Sequence, residues 1–124
     1  MDIIITNSSD SPIYEQIASQ IKNLILNGTL NEGDALPSMR TLAKELRVSV
    51  ITTKRAYEEL EREGFIQSFT GKGSFVCAKN TKLIKEEQLR RIEEILTSAI
   101  LLSKSSGIAL DEVKDLFNLL CNEL

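Results

Sequence analysis

The sequence predicts a mainly α chain with one small β-hairpin, an α+β fold, on three observations. Apolar residues recur at helical spacing in five separate stretches. Each of the first three is bounded by a serine at its start, a glycine just past its end, or both, which are helix-capping signals. Between the third and fourth stretches, two β-prone runs flank a glycine-bearing turn.

Taken in order, residues 1–10 read as an extended lead, with Ile3, Ile4 and Ile5 available to an edge strand or to the core. Ser11-Pro12 predicts a helix start, with serine at the N-cap and proline in the first helical position. Ile13, Ile17, Ile21, Leu24 and Ile25 form the apolar stripe of that helix, and Asn27-Gly28 ends it. Leu30 to Leu36 is a loop. Pro37 excludes helix at Leu36, and Ser38 caps a short second helix of about ten residues striped by Met39, Leu42, Ala43 and Leu46. Arg47-Val48 is a tight connection. Ser49 caps a third helix that runs to Glu63, stops at Gly64 and turns Thr53, Ala56, Tyr57 and Leu60 inward.

The hairpin follows. Residues 65–69 and 74–77 flank Thr70-Gly71-Lys72-Gly73. Asn80-Thr81 marks a boundary. A fourth helix is expected from Thr81 to about Ser103, with Ile92, Ile95, Leu96, Ala99 and Leu102 on one side, and Ser105-Ser106-Gly107 breaks it. A last helix runs from about Leu110 to the end. Leu110, Val113, Phe117, Leu120 and Leu124 follow the spacing of a helix-packing seam, and Leu116 and Leu119 widen it. The expected domains are 1–78 and 79–124.

Composition removes several function classes. The 124 residues fit one domain, or a small domain with an appendage. No apolar run approaches bilayer-spanning length, and MDIIITNSSD lacks the basic region and apolar stretch of a signal peptide, so a cytoplasmic protein with no membrane partner is expected. There is no histidine, which removes the commonest general base and zinc ligand. No catalytic residue, metal site or cofactor is expected. Cys77 and Cys121 are read as small buried apolar residues rather than a disulfide.

The net charge of −3 argues mildly against a nucleic-acid partner, but it conceals a local field. Between Ser38 and Tyr57 lie Arg40, Lys44, Arg47, Lys54 and Arg55 against Glu45 alone, and Gly64 to Lys79 carries Lys72 and Lys79 with no acid. A short helix, a tight turn, a longer helix and a hairpin in that order is the plan of a winged helix-turn-helix. Its second paired helix presents N-terminal residues to base edges in the major groove of double-stranded DNA. That helix opens at Ser49, with Val50, Ile51 and Lys54 opposite the buried face and Arg55 at its edge. The Gly71-Lys72-Gly73 tip suits a minor groove, where glycine permits close approach and lysine meets negative potential.

The stretch from Pro12 to Val76 resembles the DNA-binding domain of the GntR family of bacterial transcription regulators. Four motifs carry the resemblance: the opening P-I-Y-x-Q-I, then G-D-x-L-P-S-x-R-x-L-A, T-x-x-x-A-Y-x-x-L and G-x-G-x-F-V. The two-helix tail is similar to that of the YtrA-like branch, whose tail implies dimerisation more than effector sensing. Carried onto this chain, the resemblance implies DNA contacts at Arg40, Ser49, Thr52, Lys54, Gly71 and Gly73. One departure stands out. Many members have a polar or basic residue after Ser49, whereas this chain has Val50 and Ile51, which can touch thymine methyls but cannot form the bidentate guanine contact of an arginine.

The expected function is a homodimeric repressor that binds a palindromic operator, dimerising through Ile92, Ile95, Leu96, Ala99, Leu102, Val113, Leu116, Phe117 and Leu120. A small-molecule effector is left open, with no residue named for it. Two other classes compete. A protein-interaction module needs neither the basic segment nor the glycine wing. An enzyme is disfavoured because some relatives fuse this domain to a much larger aminotransferase-like domain, for which the chain ends too early.

Overall fold

Serine hydroxyls and glycines set most of the element boundaries. The computed structural model describes residues 1–8, 10–77 and 81–124. They form α1 (Ile13–Leu26), α2 (Met39–Leu46), α3 (Val50–Arg62), β1 (Ile66–Phe69), β2 (Gly73–Val76), α4 (Thr81–Ser105) and α5 (Leu110–Glu123). Three helices and a hairpin make a winged helix-turn-helix, followed by two C-terminal helices, as the sequence predicts. The chain divides into two compact units, Met1–Lys82 and Leu83–Leu124. Lys79, Asn80 and the domain boundary expected between residues 78 and 79 lie outside the described residues.

Helix α1 starts one residue later than expected. Pro12 is its cap, with ψ at 152° and no side-chain cap bond. Ser11 is engaged elsewhere, its carbonyl accepting from Gln16 Nε2 at 2.9 Å. Gln16 and Gln20, one helical turn apart, also hold the N-terminal lead. The Gln20 amide accepts from Ile4 N–H at 2.8 Å and donates to Ile4 O at 2.6 Å. The Gln16 amide does the same for Thr6 at 2.9 and 3.0 Å. Two glutamines on one helix face thus imitate a strand edge for alternate residues of an extended chain, and Ile3 is buried beside them.

Helices α2 and α3 are capped as the sequence predicts. Ser38 Oγ accepts from Thr41 N–H at 3.0 Å, and Ser49 Oγ from Thr52 N–H at 3.1 Å. Helix α2 has eight residues because Arg47 adopts the left-handed conformation, φ 57°, and Val48 N–H returns to Ala43 O at 3.0 Å. Ile17, Ile21, Leu42, Ala56, Tyr57, Leu60 and Phe65 form the core of this unit. Thr53 is also fully buried, and its hydroxyl donates to Met39 O and Val50 O, each at 2.9 Å. That bond pins the start of α3 to the start of α2.

Tyr57 is buried and donates its hydroxyl to Pro37 O at 2.7 Å. Burial pushes its phenol above the ordinary tyrosine value, and the Glu45 carboxylate adds to the shift. Folded Tyr57 therefore keeps a proton that the unfolded chain releases above about pH 10. The stability it supplies is complete below that pH and falls as pH rises beyond it, by at most about 1.4 kcal/mol per unit. Tyr57→Phe is expected to cost about 1 kcal/mol at neutral pH and to flatten this alkaline slope. Urea unfolding between about pH 8 and pH 11 measures both effects.

The strands pair antiparallel in the register Ile66↔Val76, Gln67↔Phe75, Ser68↔Ser74 and Phe69↔Gly73. The inner face holds buried Ile66 and Val76 and a hydroxyl pair, Ser68 Oγ to Ser74 Oγ at 2.6 Å. Residues 33–36 are more than the plain loop expected of them. Gly33 N–H bonds Val76 O, Val76 N–H bonds Asp34 O and Leu36 N–H bonds Ser74 O, at 2.8–2.9 Å. The segment before α2 therefore pairs with the second edge of β2 and ties the hairpin to the helices.

In the second unit, Gly107 and a buried Ser103 shape the turn between α4 and α5. Ser103 Oγ donates to Ile108 O at 2.6 Å, and Ile108 N–H returns to Ser103 O at 3.0 Å. Arg90 bridges Glu87 and Glu94 at 2.6 and 2.5 Å. Among the described residues of this unit no apolar side chain is buried. The cysteines depart from expectation: Cys77 is half-buried and Cys121 exposed, and both are free thiols. Cys121 lies on a helix whose surroundings supply no core to bury it.

Candidate nucleic-acid interface

The start of α2, the start of α3 and the hairpin enclose one cleft. Its walls include Met39, Arg40, Val50, Glu61, Phe69, Thr70, Gly71 and Gly73. Four of the ten residues expected to meet DNA (Arg40, Val50, Gly71 and Gly73) therefore share a surface. Arg40 is exposed in the first turn of α2, with no carboxylate within ion-pair distance among the described residues. Neither α2 nor α3 has an acid in its first turn, whereas α1 carries Glu15 and α5 carries Asp111 and Glu112. The positive ends of the two helix dipoles at this cleft thus have no carboxylate within their own first turns, and Glu61 is the acid that lines the cleft.

The wing tip is a tight turn closed by Lys72 N–H to Phe69 O at 3.0 Å. Gly71 and Gly73 have φ of +79° and +102°, which side chains other than glycine rarely adopt. A Cβ at either glycine would meet nothing within 4 Å, so the glycines serve the turn and leave the tip open. Lys72 is exposed there and makes no ion pair among the described residues.

The remaining expected residues lie along α3. Ile51 and Lys54 project outward, and Lys54 stands 4.0 Å from Glu58. Ser49 and Thr52 share a hydroxyl hydrogen bond at 2.7 Å, in addition to the cap. Arg55 turns aside. Its guanidinium lies 3.9 Å from the centre of the Tyr14 ring, and Nη2 donates to Tyr14 Oη at 3.3 Å. Glu59, four residues on from Arg55, pairs with Arg62.

Two residues were not anticipated. Phe69 is 47% exposed on the wing, its ring 6.2 Å from that of Phe75. Strand alternation carried this signal, because Phe69 shares the outer face with Gln67. Tyr14 had no local signal; its role depends on α1 packing against α3. Among the described residues no helix is long and apolar enough to cross a membrane, and no three or more metal-ligating side chains cluster.

Residues 13–76, spanning α1, α2, α3 and the wing, match the model of the gntR family of bacterial regulatory proteins. The chain belongs to the gntR family. It is 36% identical to the HTH-type transcriptional repressor YtrA of Bacillus subtilis, over 86% of this chain and 82% of that protein. A GntR family transcriptional regulator from Listeria monocytogenes has a similar structure, with a TM-score of 0.71 and 28% identity, covering 92% of this chain and 97% of that one. YtrA from Sulfolobus acidocaldarius, a GntR-family transcription factor, matches at a TM-score of 0.59 and 38% identity, covering 73% and 97%. As a member of this family the chain is a DNA-binding transcription regulator and not an enzyme.

Proposed function

We propose that this gntR-family chain is a cytoplasmic homodimeric repressor that binds a palindromic operator. The observation that carries the DNA-binding surface is the cleft in which Arg40, without an ion-pair partner among the described residues, and the glycine wing meet the acid-free first turns of α2 and α3. Ser49, Val50, Ile51, Thr52 and Lys54 on α3 would face base edges. Arg40, Arg55 and Lys72 would meet phosphates or a groove wall, supplying salt-dependent affinity. Repression is taken from the resemblance to the Bacillus repressor.

The dimer reading rests on the tail. Ile92, Ile95, Leu96, Ala99, Leu102, Leu116, Phe117 and Leu120 are exposed and Val113 is half-buried. With no buried apolar side chain among its described residues, this two-helix tail has no core of its own there, and a second copy would provide one. Selection from a random DNA pool, followed by titration of the enriched duplex at several salt concentrations, tests the reading. A palindromic consensus and a steep fall of affinity with salt are expected; a flat salt response on any duplex would overturn it.

Tyr14 enters as a positioning residue. Its ring restricts Arg55 to the α1 side of α3, where the cation can meet the phosphate backbone beside the groove. Tyr14→Leu should weaken operator binding about two- to fivefold, from the loss of one exposed cation–π contact. Tyr14→Phe, which keeps the ring, should stay near wild type. Tyr14→Leu should also cost little extra in an Arg55→Ala background, as a double-mutant cycle of operator affinities measures.

A further inference from the structure

The first turn of α3 is built so that its polar side chains are occupied and its apolar ones are free. The Ser49 hydroxyl accepts Thr52 N–H at 3.1 Å and shares a hydrogen bond with Thr52 Oγ1 at 2.7 Å. The Thr53 hydroxyl is buried on Met39 O and Val50 O. What projects instead is Ile51, 79% exposed, with Val50 at 44% beside it. Lys54 and Arg55 follow Ile51 three and four positions later, so they are its neighbours on the helix surface. Arg40 lines the same cleft as Val50.

An apolar pair with Arg40, Lys54 and Arg55 close by is poorly suited to a protein partner, because covering it would desolvate these charges. The floor of a DNA major groove combines the two features required. Phosphates flank it, and the only apolar group on its base edges is the thymine 5-methyl. Resting on the DNA-binding reading above, we infer that Ile51 and Val50 read thymine methyl groups. Each half-site is recognised at this turn by apolar contact, not by bidentate hydrogen bonding to guanine.

The test uses the intact chain and a duplex enriched from a random pool. Each thymine is replaced in turn by deoxyuridine, which deletes the methyl and leaves base pairing unchanged. At one or two positions per half-site the Kd should rise roughly three- to tenfold, the scale of burying one methyl group. Ile51→Ala and Val50→Ala should bind the thymine duplex more weakly and lose sensitivity to deoxyuridine at those positions only. Ile51→Val, which remains apolar, should keep most of it. Both side chains are exposed, so the variants fold, and thermal melting verifies this. Enrichment of a sequence whose binding ignores deoxyuridine throughout would overturn the inference alone. Sensitivity that persists unchanged in both alanine variants would do so as well. Failure to enrich any sequence would overturn the operator-binding reading, and this inference with it.

Discussion

Arg40→Ala is expected to weaken operator binding by about 1–3 kcal/mol per half-site, roughly fivefold to a hundredfold, while leaving the protein as stable as before or slightly more so. The two halves of this expectation have separate causes. Arg40 has no carboxylate partner among the described residues, so its removal breaks no ion pair. It also sits in the first turn of α2, where the helix dipole disfavours a cation by about 0.3–1 kcal/mol. Alanine relieves that repulsion and is the better helix former, so the melting temperature should hold or rise by about 2–4 °C. A residue placed against its own helix dipole, in a cleft with the wing, is explained by an anionic partner. Titration of operator against salt should show the slope reduced by about 0.9 for each phosphate that Arg40 neutralises. Lys54→Ala should act in the same direction but less, because Glu58 at 4.0 Å already offsets part of its charge. Unchanged affinity in both variants would remove these residues from the interface.

The second large effect is expected from the tail. In the proposed dimer, Ile95→Glu combined with Phe117→Glu should separate the two copies and lower operator affinity by about a hundredfold or more. The two side chains are 68% and 52% exposed, so charges there need not disturb a single chain. In a dimer they would be buried, and an unpaired carboxylate in an apolar interface is strongly unfavourable. The loss of DNA affinity follows because two linked recognition helices bind far more tightly than one. Sedimentation velocity measures the assembly, and a gel-shift titration measures the affinity. A variant that stays dimeric would move the interface off these helices.

Much of this molecule is legible from local chemistry. Ser38, Ser49, Gly28 and Gly64 are short-range signals, and each acts on backbone groups within a few residues of itself, so helix limits follow within one or two positions. The inward face of α3, Thr53, Ala56, Tyr57 and Leu60, follows from helical period alone, and the structure buries all four. Prediction was weaker wherever a side chain's partner is distant in sequence. Gln16 and Gln20 look like ordinary polar helix residues until the N-terminal lead lies beside them. Arg55 falls at the edge of the outward face by helical period alone, and nothing local to it signals that Tyr14, 41 residues away, takes its guanidinium.

Capping, periodicity and turn chemistry act over a few residues, and for that reason the winged helix-turn-helix, the five helices of the described residues and the basic content of the paired helices follow from the amino-acid order alone. How the wing is held follows from packing instead. Asp34 and Leu36 pair with the free edge of β2, and that pairing brings Phe69, Gly71 and Gly73 into one cleft with Arg40. Edge pairing of this kind depends on which backbone groups remain unsatisfied once the helices have packed, and no single stretch of sequence contains that information.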